Sequence, residues 1–172
     1  MQHFKDISSL IQTFSIEKIK EVQSAIITGA TGSGKSWLLH SIIKEWIRAV
    51  PVAQRAIYIL DPKRVEYFEY KDKQDEQVFV YDSNLEQMKK ALLMLSEMET
   101  PVLIVIDEMS DLLMTEPKYY ESLLIDLANK ENVCIFISTS RSSHDIATDN
   151  MITADMLEAY NVRIDLNKLA IF

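Results

Sequence analysis

The sequence predicts an α/β domain whose sheet is mostly parallel and covered by helices on both faces. Three observations carry this expectation. Short apolar runs at 25–28, 56–60, 78–81, 102–106 and 133–137 alternate with stretches of helical periodicity, and continuous apolar strands mark a sheet buried on both sides. A length of 172 residues, with 48% hydrophobic and 26% charged, suits one domain with a full core. All three glycines of the chain, at 29, 32 and 34, fall between the first apolar run and the first strong helical stretch.

Taken in order, Phe4, Ile7, Leu10, Ile11 and Phe14 share one helical face, so residues 1–22 are expected to form a helical lead-in to a domain at 23–172. Ala25-Ile-Ile-Thr28 reads as a short buried strand. After the glycines, Leu38, Leu39, Ile42, Ile43, Trp46 and Ile47 recur at helical spacing. The charged stretch KDKQDEQ at 71–77 reads as a solvated loop. Leu85, Met88, Leu92, Leu95 and Met98 form one helical stripe, its methionines serving as core filler. Leu123, Leu124 and Leu127 form another. Weaker strand runs lie at 162–166 and 169–172. No repeat, low-complexity tract or interdomain linker is visible.

Composition narrows the function classes. A single cysteine, Cys134, excludes an intramolecular disulfide and sits in an apolar strand pattern, as a core thiol does. MQHFKDISSLIQTF lacks the basic-then-apolar order of a secretory signal. The apolar run at 102–106 is far too short to span a bilayer, so no membrane segment and a cytoplasmic location are expected. Eighteen basic against 26 acidic residues give a net charge of −8, which argues against strong autonomous DNA binding but permits a local basic patch.

The glycines belong to GATGSGKS at 29–36, which has the form G-x-x-x-x-G-K-[ST]. Glycine is favoured where the chain must take positive φ or let another molecule approach its backbone. In a P-loop the backbone N–H groups wrap phosphates, the lysine reaches the β/γ oxygens and the hydroxyl ligates Mg²⁺. The strand before and the helix after supply the required context, since a helix N-terminus adds partial positive charge. The candidate nucleotide-binding set is therefore Gly29, Ala30, Thr31, Gly32, Ser33, Gly34, Lys35, Ser36 and Trp37. Val102-Leu-Ile-Val-Ile106 then runs into Asp107-Glu108, the Walker B arrangement: Asp107, with Ser36, on the metal side, and Glu108 as the base that polarises a water. Glu108 and Lys35 are the candidate catalytic residues. Glu108 points to hydrolysis, and with the lack of an arginine-rich lid it disfavours a small-molecule kinase. The run 133–137 ends in Ser138-Thr139-Ser140-Arg141, where Thr139 or Ser140 is placed to sense a γ-phosphate. Asn129-Lys-Glu-Asn132 and Asn167-Lys-Leu-Ala170 both lack the aspartate of a guanine-specifying N-K-x-D, so ATP is favoured over GTP. With no glycine elsewhere, an ABC-type signature is excluded.

Further stretches make the pattern recognisable. ILDPKRVE at 59–66, IDEMSDLLM at 106–114, ISTSRSS at 137–143 and the segment 152–166 resemble, in order and approximate spacing, four motifs of the FtsK/SpoIIIE family of DNA-translocating ATPases in the FtsK–HerA group. The resemblance covers about residues 23–166. It implies a RecA-like P-loop core that binds ATP and Mg²⁺ and acts in a ring, usually a hexamer, on double-stranded DNA. Asp61, Pro62 and Lys63 match the family DPK motif, and Arg163 falls on a family arginine. Ser140 replaces the family glutamine and Ser142 the proline, which leaves the sensor between Thr139 and Ser140. The arginine that would act in trans falls at Asn129, with Lys130, Arg141 or Arg163 as substitutes. A minimal motor is expected, without the membrane segment, extra subdomain or winged-helix module of long members. Lys63, Arg64, Lys71, Lys73 and Arg141 are the candidate DNA contacts. A second function stays open: a nucleotide-dependent module that recruits a replication, conjugation or packaging protein and hydrolyses slowly.

Overall fold

The computed structural model describes residues 2–64, 66–82, 84–140 and 153–172. Its elements are, in order, β1 (Gln2–His3), α1 (Ile7–Ile11), α2 (Ile16–Val22), β2 (Ser24–Thr28), α3 (Lys35–Ala49), β3 (Ile57–Leu60), β4 (Val78–Tyr81), α4 (Leu85–Glu97), β5 (Val102–Ile106), α5 (Ser110–Leu113), α6 (Pro117–Ala128), β6 (Val133–Thr139), α7 (Ala154–Ala159), β7 (Val162–Asp165) and β8 (Ala170–Ile171). The strands form one sheet in the order β1-β8-β7-β2-β6-β5-β3-β4. The six strands from β7 to β4 are all parallel, and β8 and β1 continue the sheet antiparallel.

Alternate residues of the apolar runs go to opposite faces, as strand geometry demands. Ile26, Tyr58, Ile104, Ile135 and Ile137 face one way, under Leu92 of α4, Leu113 of α5, Leu124 of α6 and Met156 of α7. Ala25, Ile27, Ile59, Val105 and Phe136 face the other way, under Leu10, Ile19, Leu39, Ile42 and Trp46 of α1, α2 and α3. Both faces are buried, as the expected α/β architecture with helices on both sides requires. Cys134 lies buried among the second set, and burial pushes its thiol up to about 11, the mark of an unreactive core group.

The expected elements are present with shifted ends. β6 runs on to Thr139 because Ser138 and Thr139 still pair with Ile27 and Thr28; a ladder needs only backbone. β7 and β8 are shorter than the apolar runs, since Asp165 pairs back to Ala170 across a tight turn. β1 had no sequence signal: Gln2 and His3 are exposed and gain their strand only by pairing with β8. Along the α4 stripe Met88, Leu92 and Leu95 are buried, whereas Leu85 is largely exposed.

The lead-in helices start at side-chain caps from Asp6 and Ser15 and drive Leu10, Phe14, Ile19 and Val22 into the second face. Leu10 is fully buried there. Leu10→Ala is expected to lower global stability by about 2–5 kcal/mol, as leucine truncations in cores do, in one cooperative urea transition. An unchanged midpoint would show that the lead-in is not tied to the rest of the core.

Candidate nucleotide site

Because six strands run parallel, their C-terminal ends lie on one edge, where ligands of open α/β sheets bind. That edge collects the loop after β2, Asp61 after β3, Asp107 and Glu108 after β5, and Ser140 after β6. They border a cavity of about 370 Å³ that Lys35, Ser36, Trp37, Asp61, Lys63, Asp107, Glu108 and Ser140 help to line.

The loop at 29–34 is shaped by its glycines for two different reasons. Gly34 has φ +97°, a region closed to most side chains, and a Cβ there would meet Ile7 Cδ1 at 3.0 Å. Gly29 is crowded instead: a Cβ would lie 2.4 Å from Ser33 Oγ and 3.1 Å from Leu166 Cβ. The loop is thus pressed between the lead-in and the turn before β8. Ala30 N–H donates to Asn167 Oδ1 of that turn at 2.9 Å. Gly34 is also the N-cap of α3 and offers no side-chain acceptor; Asp6, Ser15, Asn84 and Thr153 cap α1, α2, α4 and α7, while α5 and α6 also lack a side-chain cap. The first N–H groups of α3 are therefore left without a side-chain cap, the arrangement that suits an anion.

Lys35 is the first residue of α3 and only 8% exposed. Its ammonium folds back across the loop and donates to Gly29 O at 2.7 Å and Ala30 O at 3.0 Å. Burial lowers its pKa, opposed by the nearby Glu108 and Asp107 carboxylates. Ser36 Oγ donates to Asp107 Oδ2 at 2.9 Å. The same carboxylate accepts from Ser138 Oγ at Oδ1 (2.5 Å) and from the Tyr67 phenol at Oδ2 (3.2 Å).

Glu108 is 3% exposed and sits at φ 63°, a strained conformation for a residue with a Cβ. Its backbone N–H donates to Ser138 Oγ. Its carboxylate accepts from Ser110 Oγ (2.5 Å), Thr139 Oγ1 (3.1 Å), Ser140 N–H (3.0 and 2.9 Å to the two oxygens) and Lys63 Nζ (3.0 Å). Burial would raise its pKa, but the hydrogen bonds from Ser110 and Ser140 and the Lys63 ammonium hold it down at about 2. The Glu108 carboxyl is ionised at any physiological pH. Around the cavity, Lys35 and Lys63 face four carboxylates, Asp61, Glu66, Asp107 and Glu108. A bare triphosphate is repelled by that excess, so the site suits an anion that arrives with a divalent cation. Ser36 and Asp107, paired hard oxygen donors, fit Mg²⁺, which takes one or two protein ligands beside phosphate and water oxygens.

A family model described as the central domain of the helicase HerA matches residues 15–169, most of the chain. The chain belongs to this family. Among curated relatives of the HerA-type chain, the DNA translocase FtsK of Corynebacterium efficiens is 25% identical over 187 residues, covering 84% of this chain and 19% of that protein. The DNA translocase SftA of Bacillus subtilis is 26% identical over 164 residues, covering 76% and 17%. The chain therefore spans about a fifth of the relatives it matches. Among solved structures, the cytoplasmic domain of the type VII secretion ATPase EccC of Thermomonospora curvata superposes with a TM-score of 0.60 at 16% identity, covering 82% of this chain and 20% of that one. The ATPase DotB of Legionella pneumophila does so with a TM-score of 0.58 at 19% identity, covering 96% and 47%. They share the P-loop ATPase fold with it.

Within this HerA-type core the sequence-predicted residues are distributed unevenly. Thr31, Gly32, Gly34, Lys35, Ser36, Trp37, Asp107, Glu108 and Ser140 border the cavity. Thr139 is buried behind it and reaches Glu108. Gly29, Ala30 and Ser33 are held by the protein itself, Ser33 N–H donating to Ala30 O. Lys63 stands in the site as the partner of Glu108. Lys71 and Lys73 are instead ion-paired with Asp82 and Glu76. Lys130 donates to Ser96 O, and Arg163 to Leu157 O at 3.1 Å. Arg141, Ser142 and Ser143 lie outside the described residues. Tyr67, Ser110 and Ser138 were not singled out by sequence. Ser138 had one partial signal, a polar residue at the tip of an apolar strand; its place beside Asp107 comes from the pairing of β5 with β6.

Among the described residues, no helix is long and apolar enough to cross a membrane.

Proposed function

We propose that the chain is an ATP-hydrolysing motor domain of the FtsK/SpoIIIE type, coupling hydrolysis to movement of double-stranded DNA as a ring of identical subunits. The observation that carries this reading is the placement of an ionised, buried Glu108 beside the Ser36–Asp107 pair in one cavity, at the N-terminus of α3. In this reading the loop N–H groups and Lys35 bind the phosphates. Ser36 and Asp107 hold Mg²⁺, which neutralises phosphate charge when bound. Glu108 orients the attacking water and takes its proton. Ser140, and Thr139 through Glu108, report the state of the γ-phosphate. ATP, rather than GTP, is the nucleotide. Residues 1–22 act as the lead-in of the motor at 23–172, in the cytoplasm.

A second reading is favoured by the state of Glu108. Its carboxylate is fully engaged by Lys63, Ser110, Thr139 and Ser140, and the net charge is −8. A slow, nucleotide-switched recruiter of a replication, conjugation or packaging protein has use for such a quenched base.

ATP hydrolysis measured against protein concentration, with and without long duplex DNA at low salt, separates the two. The motor predicts a rate that rises more steeply than protein concentration and rises again with DNA, an effect that falls away as salt is raised. A slow rate indifferent to both overturns the motor and leaves the recruiter.

A further inference from the structure

Asp107 is held at both oxygens by groups of different origin. Ser138 Oγ donates to Oδ1 at 2.5 Å from the neighbouring strand β6. Oδ2 accepts from Ser36 Oγ at 2.9 Å and from Tyr67 at 3.2 Å. Of these donors only Ser36 belongs to the phosphate loop, so it is the one that a bound cation would recruit. Ser138 and Tyr67 then remain, one on each oxygen, and together they fix the plane of the carboxylate.

Tyr67 is built for this task. It is 1% exposed, and its ring is stacked on His40 of α3 at 4.7 Å between centroids and 21° between planes. His40 is in turn stacked on Tyr70, and its Nδ1 lies 3.1 Å from the Tyr70 hydroxyl. The phenol thus has a fixed direction, set by the helix that begins at Lys35. Its hydroxyl donates to Asp107 Oδ2, a phenol O–H being a good donor to a carboxylate oxygen.

We propose that Tyr67 is a positioning residue for Asp107, its hydroxyl holding Oδ2 in the orientation that a divalent cation needs beside Ser36. This rests on the reading of Ser36 and Asp107 as the cation side of the nucleotide site. It assigns a role to a residue that does not line the cavity, and it links the segment after β3 to the cation side of the site through α3. Outer hydrogen-bond partners of metal ligands commonly carry 10–100-fold of metal affinity or activity.

The test is a Mg²⁺ titration of the affinity for a fluorescent ATP analogue, comparing wild type with Tyr67→Phe, Asp107→Asn and the double variant. Phenylalanine keeps the ring and its stack on His40. Tyr67→Phe is expected to raise the half-saturating Mg²⁺ concentration about tenfold, with affinity in EDTA unchanged and lost turnover restored by excess Mg²⁺. In the Asp107→Asn background the same change is expected to shift nothing further. His40→Ala, which frees the ring without removing the hydroxyl, should give a smaller shift in the same direction. A Mg²⁺ dependence unchanged by Tyr67→Phe but altered by Asp107→Asn overturns the role of Tyr67 and spares the site. A Mg²⁺ dependence that Asp107→Asn leaves unchanged overturns both.

Discussion

Glu108→Gln is expected to lower ATP turnover by about 10²–10⁴-fold, the range carried by a general base, while ATP affinity stays within a few-fold of wild type. Glutamine keeps the size and the acceptor oxygen but cannot take a proton from water. It also turns an amide NH₂ into a ring of donors. Ser110 Oγ, Ser140 N–H and Lys63 Nζ all point at this carboxylate, and one of them must face another donor in the variant. A stability difference follows. The carboxyl of Glu108 is held at about 2, below its ordinary value of 4.5. Its ionised form therefore contributes about 3 kcal/mol that is present above pH 4.5 and lost as pH falls toward 2. Glutamine has no such contribution. Urea denaturation should show the variant less stable at pH 7, with the gap closing below pH 4. A gap that is constant with pH would show that the network does not act through the charge of Glu108. Turnover within tenfold of wild type would remove Glu108 from the chemistry.

The parts legible in the sequence are those whose signal is contiguous. GATGSGKS carries its own turn chemistry, and VLIVI followed by Asp107-Glu108 carries strand and carboxylates together, so both could be placed on the right elements. The five strong apolar runs became β2, β3, β4, β5 and β6; in β3, β5 and β6, buried on both faces, no polar interruption confuses the reading, and the edge strand β4 is only partly buried. Legibility fails where a residue's role depends on the order of strands. β6 lies between β2 and β5, and that insertion brings Ser138 to Asp107 across 31 residues of sequence. Tyr67 reaches the same carboxylate across 40, from a segment whose local pattern shows only a turn and three aromatics, Tyr67, Phe68 and Tyr70. The glycine reading was half complete. Positive φ at Gly32 and Gly34 fits a loop built around a ligand, but Gly29 is required by Ser33 and Leu166 of the protein itself. In sequence Lys63 stands in the family DPK motif as a candidate DNA contact; the adjacency of β3 and β5 makes it the counter-ion of Glu108.

Lys35→Ala is expected to weaken binding and turnover together, which sets it apart from Glu108→Gln. Its ammonium is the positive charge nearest the loop carbonyls, held by Gly29 O and Ala30 O at the mouth of α3. Partial burial weakens its hydration, so exchange of those carbonyls for phosphate oxygens is favoured over exposure to water. Its loss leaves Lys63 alone against Asp61, Glu66, Asp107 and Glu108 around the cavity, and Lys63 is itself committed to Glu108. Hydrogen bonds to charged groups carry about 1.5–3 kcal/mol, so ATP affinity should fall about 10–100-fold, and turnover by a further 10²–10³-fold as a donor to the developing phosphate charge is lost. Without nucleotide the variant loses the hydrogen bonds to Gly29 O and Ala30 O, so a modestly lower melting temperature is expected, whereas the rise in melting temperature at a fixed MgATP concentration should shrink sharply. A variant that still gains that stabilisation would mean that the triphosphate does not lie along the 29–36 loop, and the assignment of Ser36 and Asp107 would fall with it.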